Sequence, residues 1–252
     1  IRTLHTWVRR IQKGGMVPDA PPLVVRDGPS TALLDGQDGI GQPAAARAME
    51  IAIEKARATG VGIVNVRNNN FYLAAKYYPM MALEHQMIGF TIAVGHPWAP
   101  APGGLTPKVS SSPISIAVPA KEEFPVVLDM ATTVVARQRI YEAANKGETI
   151  PLGWAMDKYG TPTDDPLKVV TDMETGSSEG MGLLETIGGY KGYGLSVMFA
   201  LLTQVLGGGA FGDSVGGGWP LDKPTRSSHM LGAINIENFL PYEEFVRRVD
   251  TY

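Results

Sequence analysis

The sequence predicts an α/β fold with a mostly parallel or mixed sheet. Helix-type and strand-type segments alternate along the chain with short connections, which is the order expected of α/β domains. The 252 residues suffice to bury a substantial core, in one large domain or two interleaved ones. No repeat of about 20 to 50 residues and no low-complexity linker interrupts this order.

The N-terminal third supplies a helix, a hairpin and a second helix. Residues 4–11 predict a short helix, which the glycines and prolines of "GGMVPDAPP" end. "LVVRDGPSTALLDG" contains two β-prone runs around an Asp-Gly-Pro turn and predicts a small hairpin. In "GQPAAARAMEIAIEKARATG", Ala45, Met49, Ile53 and Ala56 recur at helical spacing, and Gly60 stands where a helix C-cap is expected.

The remaining elements follow in the same alternation. "VGIVNVR" predicts a buried strand, and "FYLAAKYYPMMALEHQM" predicts a helix kinked at Pro79. Strands are predicted for "IGFTIAV", "PISIAV" and "PVVLDM", and a helix for "TTVVARQRIYEAANKG". A glycine-rich turn then leads into an apolar helix in "IGGYKGYGLSVMFALLTQVLGGG". The strand "MLGAINI" and an amphipathic helix from Tyr242 to Val249 come last.

The composition narrows the class of protein. A net charge of −3 gives no general attraction to nucleic acid or to an anionic membrane. The absence of cysteine excludes disulfides, thiolate metal sites and a thiol nucleophile, and it fits a reducing compartment, so we expect a cytoplasmic protein. No run approaches the ~20 apolar residues of a bilayer span, and no signal-peptide pattern is present. Because the chain starts at Ile1, we expect it to begin inside a longer protein.

The sequence lacks the standard nucleotide-binding motifs but contains one glycine-rich candidate. The Rossmann fingerprint G-x-G-x-x-G after a strand and the Walker A loop are both absent, so a dinucleotide would need another geometry. The strongest candidate is "GGYKGYGL", because glycines permit close backbone approach and a helix N-terminus favours phosphate. Lys191 would add a point charge there. The alternative is a flexible turn that only starts the helix.

Three further residues lie at the ends of predicted elements. Asp129 ends the strand "PVVLDM", where it could accept a ribose hydroxyl, orient a base, or cap a helix starting near Thr132. His96 follows a strand, in the proline- and glycine-rich loop "GHPWAPAPGG", and could act as a general acid or base. His229 precedes the strand "MLGAINI". No histidine pair has metal-site spacing and no serine sits in G-x-S-x-G, so neither a metal nor a hydrolase elbow is predicted.

Several blocks together resemble one family. They are "ALLDGQDGIGQPAAARAMEIAIEKARATGVGIVNVRN", "AAKYYPMMALEHQMIGF", "SPISIAVPA", "PVVLDMATTVVARQRI", "KGETIPLGWAMDKYGTPTDDP" and "GGYKGYGL". In this order they resemble the malate/L-lactate dehydrogenase family of non-Rossmann NAD(P)-dependent oxidoreductases. That family includes ureidoglycolate, sulfolactate and diketogulonate enzymes and piperideine-2-carboxylate reductases. The match covers nearly the whole chain.

The resemblance implies a three-layer α/β/α fold with a mixed sheet, a homodimer, and NAD or NADP as cofactor. It further implies hydride transfer between the nicotinamide and a small 2-hydroxy or 2-oxo acid, or a cyclic 2-imino carboxylate. His96 and Lys191 are the predicted catalytic residues. The predicted cofactor-binding residues are Asn70, Phe71, Gly95, Asp129, Met130, Ala131, Lys191 and His229.

Departures from the family pattern bear on the mechanism. The family junction R-N-S-N-H-F-G has a histidine that is a proton donor or acceptor candidate in several members. That histidine falls on Phe71, which cannot transfer a proton, and the next two positions fall on Tyr72 and Leu73. An S-H-G-x-x-R block should end at about Thr3, so Arg2 and Thr3 are the predicted substrate residues.

A second departure introduces a histidine. The family's N-S-S-P segment corresponds to residues 94–97, so His96 is new beside the expected nicotinamide site. We hypothesise that His96 restores the acid/base chemistry, and a His96→Ala variant with unchanged turnover would dispose of the idea.

These observations predict an NAD(P)-dependent oxidoreductase with a small carboxylate substrate and no nucleic-acid or membrane partner. The alternative is a relative with lost or altered redox chemistry, acting as a lyase or isomerase or without turnover, because Phe71 replaces the histidine. A carbohydrate- or peptide-binding module ranks last, since the aromatics lie mainly in helices and glycine turns. We expect residues 1–65 and 201–252 to form the main domain, and residues 66–200 the cofactor-binding region.

Overall fold

The structure is a computed structural model that describes residues 2–170 and 181–252, and at Arg2 and Thr3 the backbone alone. Its strands are β1 (Leu23–Asp27), β2 (Thr31–Asp35), β3 (Val61–Asn69), β4 (Met87–Val94), β5 (Ala99–Pro100), β6 (Pro107–Val109), β7 (Ile114–Val118), β8 (Val126–Met130), β9 (Ala155–Met156), β10 (Leu183–Leu184) and β11 (Ser227–Asn235). Its α-helices are α1 (Arg2–Lys13), α2 (Gly41–Thr59), α3 (Tyr77–Met81), α4 (Arg137–Lys146), α5 (Tyr190–Ala200) and α6 (Tyr242–Thr251). A π-helical turn, Leu201–Val205, continues α5.

A seven-stranded mixed sheet organises the described residues, in the order β1-β2-β3-β11-β4-β7-β8. Strands β2 and β3 run parallel, and the other neighbouring pairs run antiparallel. Helices α2 and α3 pack on β3, β4 and β11, and α5 packs on β4 from a separate apolar cluster. The predicted three-layer α/β/α fold with a mixed sheet is therefore confirmed.

Helix α2 buries the face that its sequence predicts. Ala45, Met49, Ile53 and Ala56 are all buried against the sheet, as their helical spacing requires. Gly60 ends the helix in the left-handed region with φ +90°, and its N–H donates to the Ala56 carbonyl. The predicted hairpin also forms, from β1 and β2.

The helix predicted for residues 71–87 is mostly wrong. Residues 71–76 are irregular, and α3 is short, with a 3₁₀ turn after it. Leu73 has φ +66°, which no α-helix can include. Tyr72 is buried and stacks on Tyr78 with ring centroids 4.8 Å apart. Pro79 lies in the first turn of α3, where a missing N–H costs no helical hydrogen bond, so it does not kink a longer helix.

Two element boundaries and the exposure of one strand differ from prediction near the expected site. Strand β8 is not buried but lies at the sheet edge, because it pairs with β7 alone and leaves Val126 and Leu128 exposed. Helix α4 starts at Arg137 rather than near Thr132. Strand β11 starts at Ser227, so His229 lies inside the strand and not before it.

Among the described residues, no helix combines the length and the apolar character needed to cross a membrane.

Candidate active site

One edge of the main sheet gathers most of the predicted site residues. The register pairs at this edge are Ser227–Asn69, Ser228–Val94, Ile114–Ile92 and Ile114–Met130. Because neighbouring strands here are antiparallel, the ends of β3, β4 and β8 lie beside the beginnings of β7 and β11. The loops that carry Phe71, His96 and Ala131 therefore leave the sheet along one side.

A serine tract, residues 110–112, joins two of these loops. The Gly95 N–H donates to Ser110 Oγ at 3.2 Å, and the Ser110 and Ser112 hydroxyl oxygens lie 2.9 Å apart. From the other side, Thr132 donates to the Ser111 carbonyl through its N–H (2.9 Å) and its hydroxyl (3.0 Å). The tract thus holds Gly95 and the segment after β8 together. Neighbouring hydroxyls carry no diagnostic spacing, so the tract is not recognisable from the sequence.

The glycine turn before α5 packs on the same segment. Ile187 donates its N–H to the Thr132 carbonyl at 3.0 Å, and the Thr132 and Ser196 hydroxyl oxygens are 2.6 Å apart. A Cβ added to Gly192 would lie 2.5 Å from the Thr132 carbonyl oxygen, so only glycine fits there. Lys191 projects from the first turn of α5 as an exposed side chain. Two predicted cofactor segments, 129–131 and 188–195, are therefore brought together.

Asp129 lies on the exposed edge strand. Its carboxylate accepts the Lys76 N–H at 3.1 Å, which ties β8 to the irregular segment after β3. The capping alternative for Asp129 is wrong, because α4 begins eight residues later and Asp129 does not contact it. Met130 and Ala131 are half-buried beside it.

His96 is held by contacts on two sides. Its Nδ1 lies 2.6 Å from the Val215 carbonyl oxygen, so Nδ1 carries the proton and donates it. Within the described residues Nε2 has no hydrogen-bond partner. The imidazole packs edge-to-face on Trp98, with centroids 4.4 Å apart, and burial lowers the pKa of His96, with a smaller contribution from the Arg137 cation. His96 is therefore neutral at pH 7, with Nε2 as a proton acceptor.

The Asn70 side chain is buried and acts as a junction, because its hydrogen bonds connect three other parts of the chain. Its Oδ1 accepts from Arg10 Nη1 at 2.9 Å and from Thr225 Oγ1 at 2.8 Å. Its Nδ2 donates to the carbonyls of Asp38 at 2.9 Å and Gly39 at 2.7 Å. These four bonds use the full capacity of the amide. The side chain therefore fixes the loop and retains no hydrogen bond for a ligand.

Phe71 and His229 occupy opposite environments. The Phe71 side chain is 53% exposed, whereas His229 is buried inside β11. His229 Nε2 donates to the Asn70 carbonyl at 3.2 Å, and its ring stacks on Tyr72 at 4.3 Å. Burial lowers the pKa of His229 to about 4. The two histidines, His96 and His229, therefore have no hydrogen-bond partner and no ring contact in common among the described residues.

The predicted substrate residues are not placed by the structure. Arg2 and Thr3 begin α1, but their side chains lie outside the described residues. In the part of the chain that is described, no group of three His, Asp or Glu side chains could hold a metal ion.

Comparison with known proteins decides the family. The family model for malate/L-lactate dehydrogenase matches residues 1–252. The chain belongs to the malate/L-lactate dehydrogenase family.

Similar members include a malate dehydrogenase from Pyrococcus abyssi, 41% identical over 249 residues, which cover 99% of this chain and 67% of that protein. The solved sulfolactate dehydrogenase from Methanocaldococcus jannaschii has a TM-score of 0.84 and 36% identity, over 98% of this chain and 69% of that one. The malate dehydrogenase from Entamoeba histolytica has a TM-score of 0.90 and 29% identity, over 98% and 70%.

Family membership confirms the predicted class, an NAD(P)-dependent oxidoreductase acting on CH–OH or C=N groups. The alternative, a relative without redox chemistry, receives no support. Membership also gives meaning to Leu73, which falls on the glycine of the family junction R-N-S-N-H-F-G. Its φ of +66° is a left-handed conformation that glycine adopts without strain.

A cavity of about 210 Å³ adjoins the glycine turn of this family member. It is lined by the 100–105 loop, Met156, Tyr159, Gly160 and residues 184–186. Ligand cavities usually measure about 300 to 1,000 Å³, so this one cannot enclose a dinucleotide.

Proposed function

We propose that this family member interconverts a small 2-hydroxy acid that carries a second acidic group and its 2-oxo acid, with NAD or NADP. One observation carries the proposal. The His96 loop, the segment after β8 and the glycine turn converge on the serine tract and Thr132 at one sheet edge. Support for the second acidic group comes from the malate and sulfolactate dehydrogenases among the similar proteins, since both named acids carry one.

The residues around the glycine turn fit a nicotinamide dinucleotide. An added Cβ at Gly189 or Gly194 would meet nothing within 4 Å, so the backbone there faces open space. Exposed Lys191 at the helix N-terminus would pair with the pyrophosphate. Exposed Asp129 would accept a ribose hydroxyl, beside Met130 and Ala131. The bound cofactor would supply or accept the hydride.

The nicotinamide end of the site would lie against the loops after β3 and β4. The half-exposed Phe71 ring offers an apolar wall. Gly95 offers a backbone without a side chain. Asn70 and His229 hold this wall from behind, through the hydrogen bond between the Asn70 carbonyl and His229 Nε2.

His96 would move the proton. In the oxidation direction its neutral Nε2 removes the hydroxyl proton while Nδ1 remains bonded to the Val215 carbonyl. In the reduction direction the protonated ring returns that proton to the 2-oxo oxygen. Lys191 is the second catalytic candidate, because its cation would hold the cofactor in position relative to the His96 imidazole.

Four further assignments complete the proposal. Arg2 and Thr3 would contact the substrate carboxylate from the start of α1. Residues 66–200 would form the cofactor-binding region, between 1–65 and 201–252 of the main domain. The enzyme would be a cytoplasmic homodimer. Equilibrium sedimentation tests the dimer directly.

The central experiment is a fluorescence titration with NADH and NADPH, followed by turnover on oxaloacetate, sulfopyruvate and pyruvate. We expect at least one cofactor to bind, and the two acids with a second acidic group to be reduced about tenfold faster than pyruvate. His96→Ala should lower kcat by about 10²-fold or more, the usual range of a lost general acid/base. His85→Ala, an exposed histidine on the 3₁₀ turn, is the matched control. Equal rates on all three acids would overturn the substrate assignment.

A cyclic 2-imino carboxylate is the second candidate substrate. The observation that favours it is the pairing of Phe71, which has no proton to give, with His96, whose pKa is lowered by burial. A protonated imine brings its own proton and needs less help from an acid. Adding piperideine-2-carboxylate to the same panel tests this, and faster reduction than oxaloacetate would select it.

A further inference from the structure

Three side chains form a stack beside the proposed site, here called the His96 stack: His96, Trp98 and Arg137. The imidazole meets the indole edge-to-face at 4.4 Å with an interplanar angle of 64°. The Arg137 guanidinium carbon lies 3.6 Å from the indole centroid. The Trp98 indole therefore contacts the His96 imidazole and also carries the Arg137 guanidinium over its ring face.

Arg137 is anchored independently of His96. It is the first residue of α4, is buried, and donates from Nη2 to the Tyr141 hydroxyl at 3.3 Å and to Met181 Sδ at 2.8 Å. The segment just before α4 is the one that follows the predicted cofactor residues of β8. Arg137 thus connects the cofactor side of the site to the loop that carries His96.

We propose that Arg137 is a positioning residue for His96, because its guanidinium fixes the Trp98 indole and the indole fixes the imidazole. This inference rests on the proposed role of His96 in proton transfer. Without Arg137 the indole would lose the group on its face. The imidazole would then keep its bond to the Val215 carbonyl, but the indole beside it would be less firmly held.

The stack also sets the charge around His96. The described groups that act on the imidazole are the Arg137 cation, the Asp213 carboxylate and the Val215 carbonyl, and Asp213 is itself 3.8 Å from Lys108 Nζ. Burial lowers the pKa of His96 most, and Arg137 lowers it further, whereas the Val215 carbonyl and Asp213 raise it. Removing the cation while keeping the volume should therefore raise the pKa of His96.

NMR titration of the histidine ring protons tests the inference without substrate. The chain has four histidines, so comparison with His96→Ala assigns the His96 signal. In Arg137→Met we expect the pKa of His96 to rise and the His96–Trp98 ring contacts to weaken. Arg137→Lys keeps the charge and loses the planar stack, so the pKa should stay near that of the parent while kcat falls. Arg139→Met, on the exposed side of α4, is the matched control.

Two results would overturn the inference. One is a pKa of His96 and His96–Trp98 ring contacts in Arg137→Met that equal those in Arg139→Met. If Arg137→Met does not fold, Trp98→Leu replaces it, and an unchanged kcat in that variant would be the second overturning result. A parent enzyme that turns over none of the acids would refute the proposed function alone, because the titration and the ring contacts are measured without turnover.

Discussion

The Asn70→Asp substitution replaces a buried NH2 group by an oxygen and leaves the shape of the side chain almost unchanged. The parent amide donates to the carbonyls of Asp38 and Gly39 at 2.9 and 2.7 Å. A carboxylate has no protons to donate, so both carbonyls would face an oxygen. The other oxygen would still accept from Arg10 and Thr225.

The expected loss follows from these contacts. The Gly39 carbonyl loses its donor, which costs about 1 to 3 kcal/mol. The Asp38 carbonyl keeps the Val17 N–H at 3.0 Å. The bond from Arg10 is already charge-assisted, and the gain from the new ion pair is offset by the cost of burying a second charge. The free energy of unfolding should therefore fall by about 1 to 3 kcal/mol, a sizeable share of the roughly 5 to 15 kcal/mol that holds a typical domain together.

Urea unfolding followed by tryptophan fluorescence measures this loss. With a slope of about 3 kcal/mol per molar urea, the midpoint of Asn70→Asp should fall by about 0.3 to 1 M. Gln138→Glu makes the same chemical change on the exposed first turn of α4, and its midpoint should stay within about 0.2 M of the parent. Equal midpoints for the two variants would refute the role of Asn70 as a junction.

Three other changes test separate parts of the fold. Leu73→Gly should leave the free energy of unfolding unchanged or raise it by up to about 1 kcal/mol, because it relieves φ +66°, and a thermal melt with a clear fall in Tm would contradict this. Gly192→Ala should lose more than about 2 kcal/mol and weaken NADH binding, since its Cβ has no room beside Thr132, whereas Gly194→Ala meets no described protein atom and should keep the stability of the parent. The pKa of His229 is lowered to about 4, against ~6.5 in an unfolded chain, so its contribution to stability is complete above pH 6.5 and is lost as the pH falls through 4. His229→Gln should therefore lose less stability than the parent between pH 7 and 4, by up to about 3 kcal/mol, and parallel urea midpoints across that range would contradict it.

The periodicity of apolar residues correctly predicted the elements that bury one regular face against the sheet. Helix α2 buries one regular stripe, so the spacing from Ala45 to Ala56 was sufficient. Periodicity failed at 71–76, because the side chain of Tyr72 stacks on Tyr78 and His229 and the backbone at Leu73 turns left-handed. It also failed at Thr132, where β-branched residues follow β8 and bond to the segment before the glycine turn instead of starting a helix.

The candidate site was predicted as a set of separate loops, and its connections were not. His96, Lys191 and Asp129 were each noticed for their residue type at the end of an element. The serine tract that joins Gly95 to Thr132 has no recognisable spacing. Trp98 and Arg137 are far apart in sequence and meet only in the folded chain. Such contacts depend on strand order, which a single sequence does not contain.

The position of β11 has a consequence for synthesis of the chain. This late strand lies between β3 and β4, and the Thr91 hydroxyl donates to a carbonyl 139 positions further on, at Met230. Until that segment emerges from the ribosome, β3 and β4 each present an unpaired edge with exposed N–H and C=O groups. Closure of the sheet therefore waits until β11, which follows β3 and β4 by a long stretch of chain, has been translated.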